Sequence, residues 1–248
     1  MELAGRVALV TGASGDLGGA IARALAAAGA AVAVTYVGER ERAEKTAADI
    51  AALGPAGWVV RLDQADRDLP AQVVAATVER FGRLDLLVNN AAWNIGIPFT
   101  DLDTLTPEVW DRIYHTNVRG PFLLARAAAS VLREEGGRIV NIASIGGIYP
   151  VGSSIAYATS KAALIHLTRC LAVALAPDVL VNAVAPGLIE DTRMAQRLPA
   201  AVVDAAHRIA LLERSPTIPD LTDQVVAFCR TDSITGQVLP IDAGLFPR

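Results

Sequence analysis

Tyr157 and Lys161 stand four residues apart in Ile155-Ala156-Tyr157-Ala158-Thr159-Ser160-Lys161, a segment that reads as the start of a helix. That spacing sets both side chains on one helical face. A phenol ordinarily titrates at about 10 and a primary ammonium at about 10.4. A nearby positive charge favours phenolate, so the pair predicts a tyrosine with its pKa lowered toward working pH. Such a phenol can give a proton to a carbonyl oxygen as hydride arrives, or accept one in the reverse direction. Taken alone, an interfacial tyrosine beside a surface lysine explains the spacing equally well. Ser144, thirteen residues before Tyr157 at the end of an apolar run, adds a hydroxyl to the set.

A second group of special residues lies near the start of the chain. Val7–Val10 runs straight into Thr11-Gly12-Ala13-Ser14-Gly15-Asp16-Leu17-Gly18-Gly19, and a helical pattern follows at once. Glycines in this place allow a tight turn and let the backbone approach a pyrophosphate. They also aim free N–H groups and the positive end of the helix at the phosphates. No Lys follows the glycines, which argues against a nucleoside-triphosphate loop. The alternative is a purely structural turn.

Both groups need a scaffold, and the rest of the chain predicts one. Apolar, strand-like runs occur at Val7–Val10, Val32–Val37, Trp58–Leu62, Leu84–Asn89, Arg138–Ile142, Leu180–Val184 and Gln237–Ile241. Helical patterns fall between them, at Leu17–Ala28, Glu39–Leu53, Leu69–Phe81, Pro107–Asn117, Pro121–Glu135, Ala156–Ala176 and Leu221–Arg230. Strands alternating with such helices imply crossovers and a parallel sheet. Nearly continuous apolar strands imply helices over both faces. The expectation is an α/β, single-domain doubly wound Rossmann fold over residues 1–248, with about seven parallel strands.

With those elements in place, the chain resembles the short-chain dehydrogenases/reductases. Thr11-Gly12-x-x-x-x-x-Gly18 is similar to that family's Thr-Gly-x-x-x-Gly-x-Gly signature, with Asp16 where the middle glycine usually stands and Gly15 one place earlier. Ser14 and Leu17 complete the turn. Asp16 is expected to oppose the cofactor phosphates, so Asp16→Gly should tighten binding. Asn89-Asn90-Ala91-Ala92 resembles the family's Asn-Asn-Ala-Gly, which implies that Asn90 and Ala91 support the adenosine side. Asp63 matches the Asp that meets the adenine. Pro186-Gly187, with Ile189 just beyond, matches the stretch against the nicotinamide, and Thr192 lies one place from the usual carboxamide-binding Thr.

The resemblance also implies roles at the reacting centre. Ser144 would hydrogen-bond the substrate oxygen, Tyr157 would pass the proton, and Lys161 would lower its pKa and hold the nicotinamide ribose. Asn117 would help hold a water next to Lys161. An acidic residue at the end of the second strand holds the ribose of NAD, whereas Arg suits the 2′-phosphate of NADP. Here the acidic place is Tyr36 and Arg40 follows, so NADP(H) is favoured over NAD(H). Trp93 and Asn94, together with Ile148–Val151, follow strand ends and are candidates for the substrate pocket. Residues 188–216 occupy the place of a substrate lid whose inner face, including Met194, Leu198, Val202 and Val203, should be apolar. The family commonly forms dimers and tetramers, so a homotetramer or homodimer is expected.

Composition excludes other classes. Of 248 residues 52% are apolar and 19% charged, and the formal charge of −4 gives no basic field for nucleic acid. Two cysteines outside any Cys-x-x-Cys pair, expected to be buried free thiols, and three scattered histidines predict neither a disulfide scaffold nor a metal site. The N-terminus lacks a signal-peptide pattern and no run approaches eighteen uninterrupted apolar residues, so the cytoplasm is expected rather than a membrane. Neither Ser144 nor Ser14 lies in Gly-x-Ser-x-Gly, which argues against a serine hydrolase. The function implied is hydride transfer between a nicotinamide and a carbonyl or secondary alcohol, as in 3-oxoacyl-carrier-protein reductases. The substrate would be a small or acyl-carrier-linked carbonyl compound. The alternative is an NAD(P)-binding regulator without turnover.

Overall fold

Strand β1 (Val7–Val10) has all four residues buried, because strands flank it and helices cover both its faces. The structure, a computed structural model, describes residues 1–193 and 195–246; Met194 lies outside them. β1 is joined by β2 (Ala31–Tyr36), β3 (Gly57–Arg61), β4 (Leu86–Asn89), β5 (Arg138–Ile142), β6 (Leu180–Pro186) and β7 (Val238–Ile241). All pair in parallel, in the order β3-β2-β1-β4-β5-β6-β7. The helices are α1 (Asp16–Ala27), α2 (Arg40–Ala52), α3 (Leu69–Phe81), α4 (Pro107–Tyr114), α5 (Gly120–Glu135), α6 (Ile155–Leu175), α7 (Ala200–Ile209) and α8 (Ile218–Arg230). This is the doubly wound α/β arrangement that the apolar runs imply.

Alternate residues of each strand enter different cores. Ala8, Val10, Leu86, Val88 and Val140 pack with Ile21, Leu25, Leu221 and Val225 on one face. Val7, Leu9, Leu87 and Ile139 pack with Val73, Leu124, Leu132 and Leu171 on the other. Leu9, Leu87 and Ile139 expose no surface, each contributing about 1.5–3 kcal/mol by burial. Strand order reverses between β1 and β4, and ligands of such sheets bind outside the carboxyl ends at that point.

Local chemistry moves several boundaries. The two helices expected at 107–117 and 121–135 form one continuous rod, joined by a π-helical turn at His115–Arg119 in which the Gly120 N–H bonds the His115 carbonyl. Pro121 has no N–H for the carbonyl four residues back, that of Asn117, so the ladder cannot run through as ordinary α-helix. Such π turns concentrate at functional sites. α8 begins three residues earlier than expected. Thr217 and Asp220 form a reciprocal capping box with Pro219 in the first turn, a signal present in the sequence. α6 is long and apolar enough to cross a membrane, with a mean hydropathy of 1.2, but half of that window is buried inside the domain. It is a core helix. Cys229 is buried whereas Cys170 is exposed, so one of the two thiols departs from expectation.

Candidate active site

The glycine-rich turn is closed by hydrogen bonds from three directions. The Gly15 N–H donates to the Gly12 carbonyl (3.0 Å), and the Gly12 N–H donates to Thr35 Oγ1 on β2 (3.0 Å). Thr11 Oγ1 accepts from the N–H groups of both Asn90 and Ala91 (2.9 Å each), while Asn90 Nδ2 donates to the Thr11 carbonyl (2.9 Å). The turn after β1 and the turn after β4 therefore hold each other in register. Gly18 is required by space: a Cβ there would lie 2.4 Å from the Gly12 carbonyl oxygen and 2.5 Å from Asn90 Nδ2. This cradle, with α1 starting at Asp16, fits a dinucleotide pyrophosphate. Ser14 and Leu17 lie half-buried in it.

Gln64, which the sequence reading missed, ties this region to the π turn. It is 2% exposed, and its Nε2 donates to the carbonyls of Ala91 (2.9 Å) and Thr116 (2.7 Å). Asp63 turns its carboxylate onto the Ala65 N–H (3.0 Å). Beyond β6, the Gly187 N–H donates to the Ile241 carbonyl (2.8 Å), continuing the β6–β7 ladder past Pro186. Ile189 is buried. Thr192 spends its hydroxyl locally, donating to the Ile189 carbonyl (2.8 Å) and accepting from the Ala195 N–H (3.3 Å).

Asn117, Ser144, Tyr157 and Lys161 are positioned by neighbouring elements. The Tyr157 N–H is received by Ser154, the N-cap of α6 (3.1 Å). Ser144, directly after β5, caps the 3-10 turn Ile145–Gly147 by accepting from the Gly146 N–H (3.1 Å). Gly147 lets that turn lie on α6, since a Cβ would sit 2.5 Å from the Lys161 carbonyl carbon. Lys161 is 2% exposed, and its Nζ donates to the Ile142 carbonyl at the end of β5 (2.7 Å). Asn117, also buried, accepts from the Trp93 N–H (2.8 Å) and donates to the Trp93 carbonyl (3.1 Å) and Ser160 Oγ (3.1 Å). Ser160 in turn donates to the Tyr157 carbonyl (2.7 Å). Ser160 was overlooked as well; lying between Tyr157 and Lys161, it could have been noticed as a polar group on a helix otherwise rich in Ala and Leu.

The electrostatics differ from the expectation. Burial pushes the Tyr157 phenol above its ordinary value, with the Ser144 hydroxyl pulling the other way. Burial also lowers Lys161, to about 8. Its Nζ lies 5.7 Å from the Tyr157 ring centre and is bonded to a carbonyl. Desolvation, not the lysine, dominates the phenol in this arrangement.

Asp16 is paired through both carboxylate oxygens. Oδ1 accepts from Arg42 Nη2 (2.6 Å), and Oδ2 accepts from the Arg193 N–H (2.9 Å) and Nε (3.4 Å). Those partners hold it below the usual carboxylate range although partial burial opposes them. At the end of β2, Arg40 is exposed, pairs with Glu44 (2.8 Å), and also feels Tyr36. Trp93 carries the Arg112 guanidinium 4.1 Å from its ring centre. Tyr149 stacks on Phe246 at 4.2 Å.

Residues 188–216 contain the 3-10 turn Ala195–Arg197 and α7, which buries none of its residues. Leu198, Val202, Ile209, Leu211 and Leu212 are exposed, whereas Val203 is half-buried and Ala210 buried, so the expected apolar face is only partly covered among the described residues. A depression of about 420 Å³ lies between this segment, α8 and β7, lined by Leu212, Arg214, Asp220, Leu239 and Ile241. It includes none of the four candidate catalytic residues.

Comparison with known proteins agrees with this architecture. The family model described as Enoyl-(Acyl carrier protein) reductase matches residues 12–246. The chain is 41% identical over 241 residues to the protein named ketoacyl reductase 2 of the granaticin polyketide synthase of Streptomyces violaceoruber, covering 96% of this chain and 95% of that one. A short chain dehydrogenase from Burkholderia cenocepacia J2315, solved in complex with NADP, superposes with a TM-score of 0.90 at 38% identity, covering 99% of each chain. A NAD+-bound xylitol dehydrogenase superposes with a TM-score of 0.92 at 30% identity, covering 98% of this chain and 100% of that one. The chain belongs to the short-chain dehydrogenase/reductase family, whose members bind a nicotinamide cofactor.

Proposed function

We propose that the protein is an NADP(H)-dependent ketoreductase of the 3-oxoacyl type, acting on a small or acyl-carrier-linked ketone. The observation that carries this reading is the convergence of Ser144, Tyr157 and Lys161 at the carboxyl end of β5, with α6 and the 3-10 turn held against each other by Gly147. When bound, the nicotinamide supplies hydride to the carbonyl carbon. The Ser144 hydroxyl and the Tyr157 phenol receive the carbonyl oxygen. Tyr157 passes its proton to that oxygen as negative charge develops there, and the Lys161 ammonium, 5.7 Å from the Tyr157 ring centre, favours the resulting phenolate.

Asn117 keeps the Trp93 loop and α6 at a set distance and marks where a relay water would enter. NADP(H) is supported by Tyr36 in the acidic position, by Arg40 next to it, and by the NADP complex of the Burkholderia chain. The ketoacyl substrate class is supported by the name of the Streptomyces relative. We further read residues 1–248 as one functional domain working in the cytoplasm, with 188–216 as its substrate lid. Exposed Phe122 on α5, Val173 on α6 and Leu239 on β7 support a homotetramer or homodimer.

A panel of 3-oxoacyl thioesters and simple ketones with NADPH and NADH, followed at the nicotinamide absorbance, tests the reading. Turnover of a ketone with NADPH supports it. Binding of NADPH without turnover of any carbonyl or alcohol would favour the regulatory alternative.

A further inference from the structure

Four charged side chains meet between the glycine-rich turn and the end of β2, and none belongs to the reacting centre. Arg42 Nη2 lies 2.6 Å from Asp16 Oδ1; Arg193 reaches Asp16 Oδ2 and closes on Glu39 through Nη1 (2.6 Å) and Nη2 (3.0 Å). Asp16 opens α1, Glu39 is the N-cap residue of α2, Arg42 sits in the first turn of α2, and Arg193 lies in the lid segment, 177 residues from Asp16. Two carboxylates and two guanidiniums cancel in charge. The place is where an adenosine ribose lies when a dinucleotide sits across the end of the second strand.

Resting on the dinucleotide reading above, we propose that Asp16 sets the preference between NADP(H) and NAD(H), by acting as an internal anion that occupies Arg42. A 2′-phosphate is best met by a guanidinium. Here Arg42 already donates to Asp16 through Nη2, so a 2′-phosphate must compete with that carboxylate for the guanidinium. A 2′-hydroxyl makes no such demand, because Glu39 can accept from it while Asp16 keeps Arg42. The pair is loose enough to exchange: the side chains of Asp16 and Arg42 are 22% and 39% exposed. Ion pairs this exposed lower the affinity of a competing anion by up to about fivefold.

The test is direct binding of NADPH and NADH, by nicotinamide fluorescence or calorimetry, to the wild type, Asp16→Asn, Arg42→Gln and the double variant. The expectation is that Asp16→Asn tightens NADPH by about threefold to fivefold more than it tightens NADH. Arg42→Gln should weaken NADPH and leave NADH within about twofold, and should abolish the selective gain of Asp16→Asn in the double variant. Equal tightening of both cofactors would overturn the proposal, showing that Asp16 acts on the pyrophosphate they share. A selective gain that survives in the double variant would overturn it as well, as would no change in either affinity. Absence of binding by both cofactors to the wild type would instead remove the dinucleotide reading itself. Asp16→Gly, which restores the usual glycine, gives the same contrast should Asp16→Asn fold poorly.

Discussion

The candidate reacting centre and the contact made by residues 188–216 are built from opposite materials. Lys161, Asn117 and Ser160 are buried and joined by neutral or backbone hydrogen bonds, with Gly147 pressing one element onto the next. The segment 188–216 is attached to the glycine-rich turn by Arg193, through ion pairs to Asp16 and Glu39, and no residue of α7 is fully buried. Desolvated groups cannot exchange partners cheaply, so the centre is preorganised and its pKa values are displaced. Solvated ion pairs exchange readily and contribute little. The difference sets a tightly packed candidate centre against a segment held by exchangeable surface pairs.

Tyr157→Phe is the severest test of the rigid side. Loss of the phenolic proton should reduce turnover by about 10²- to 10⁴-fold, while NADPH affinity stays near that of the wild type; full activity in steady-state assays would refute the assignment. Gly18→Ala should come next. Its Cβ meets the Gly12 carbonyl at 2.4 Å, whereas a Cβ at Gly38 meets nothing within 4 Å. Overpacking of this kind costs about 1–3 kcal/mol, so Gly18→Ala should lower the Tm and weaken NADPH binding, and Gly38→Ala should do neither.

Lys161 gives a pH test of burial. Its folded pKa of about 8 lies below the ordinary 10.5. Between those values the unfolded chain binds more protons than the folded one, so this group's contribution to stability rises with pH across that window. The penalty is complete below about 8 and is relieved by up to about 3 kcal/mol as pH climbs toward 10.5. Denaturant unfolding of wild type and Lys161→Met at pH 7 and pH 10 should show the wild type gaining on the variant at the higher pH. A gap independent of pH would mean that the ammonium is not desolvated.

The smallest effect belongs to Arg193 and the segment 188–216. Arg193→Gln should change unfolding free energy by less than about 1 kcal/mol, yet raise hydrogen exchange across residues 188–216. A Tm drop as large as that of Gly18→Ala would erase the contrast between the two regions.

Much of the architecture was legible from residue order. Strands covered on both faces are continuously apolar, and their covering helices carry a helical period, so β1 through β7 stand out with errors of a residue or two. The rod through His115–Arg119 was hidden because Pro121 reads as a helix start, and proximity to Gln64 and Trp93 cannot be inferred from spacing. The exposure of Leu198, Val202 and Ile209 was equally invisible, since they carry the same pattern whether or not anything packs on them.

Sequence by itself determined which groups could do chemistry: the Tyr157–Lys161 spacing, Ser144 after a strand, and the glycines that permit the turn. Tertiary structure alone decided how those groups are charged and paired. Burial raises the Tyr157 phenol although the Ser144 hydroxyl opposes it, and Asp16 meets Arg193 from 177 residues away. Desolvation and long-range ion pairing depend on what surrounds a side chain in space, and neither distance along the chain nor residue type carries that information.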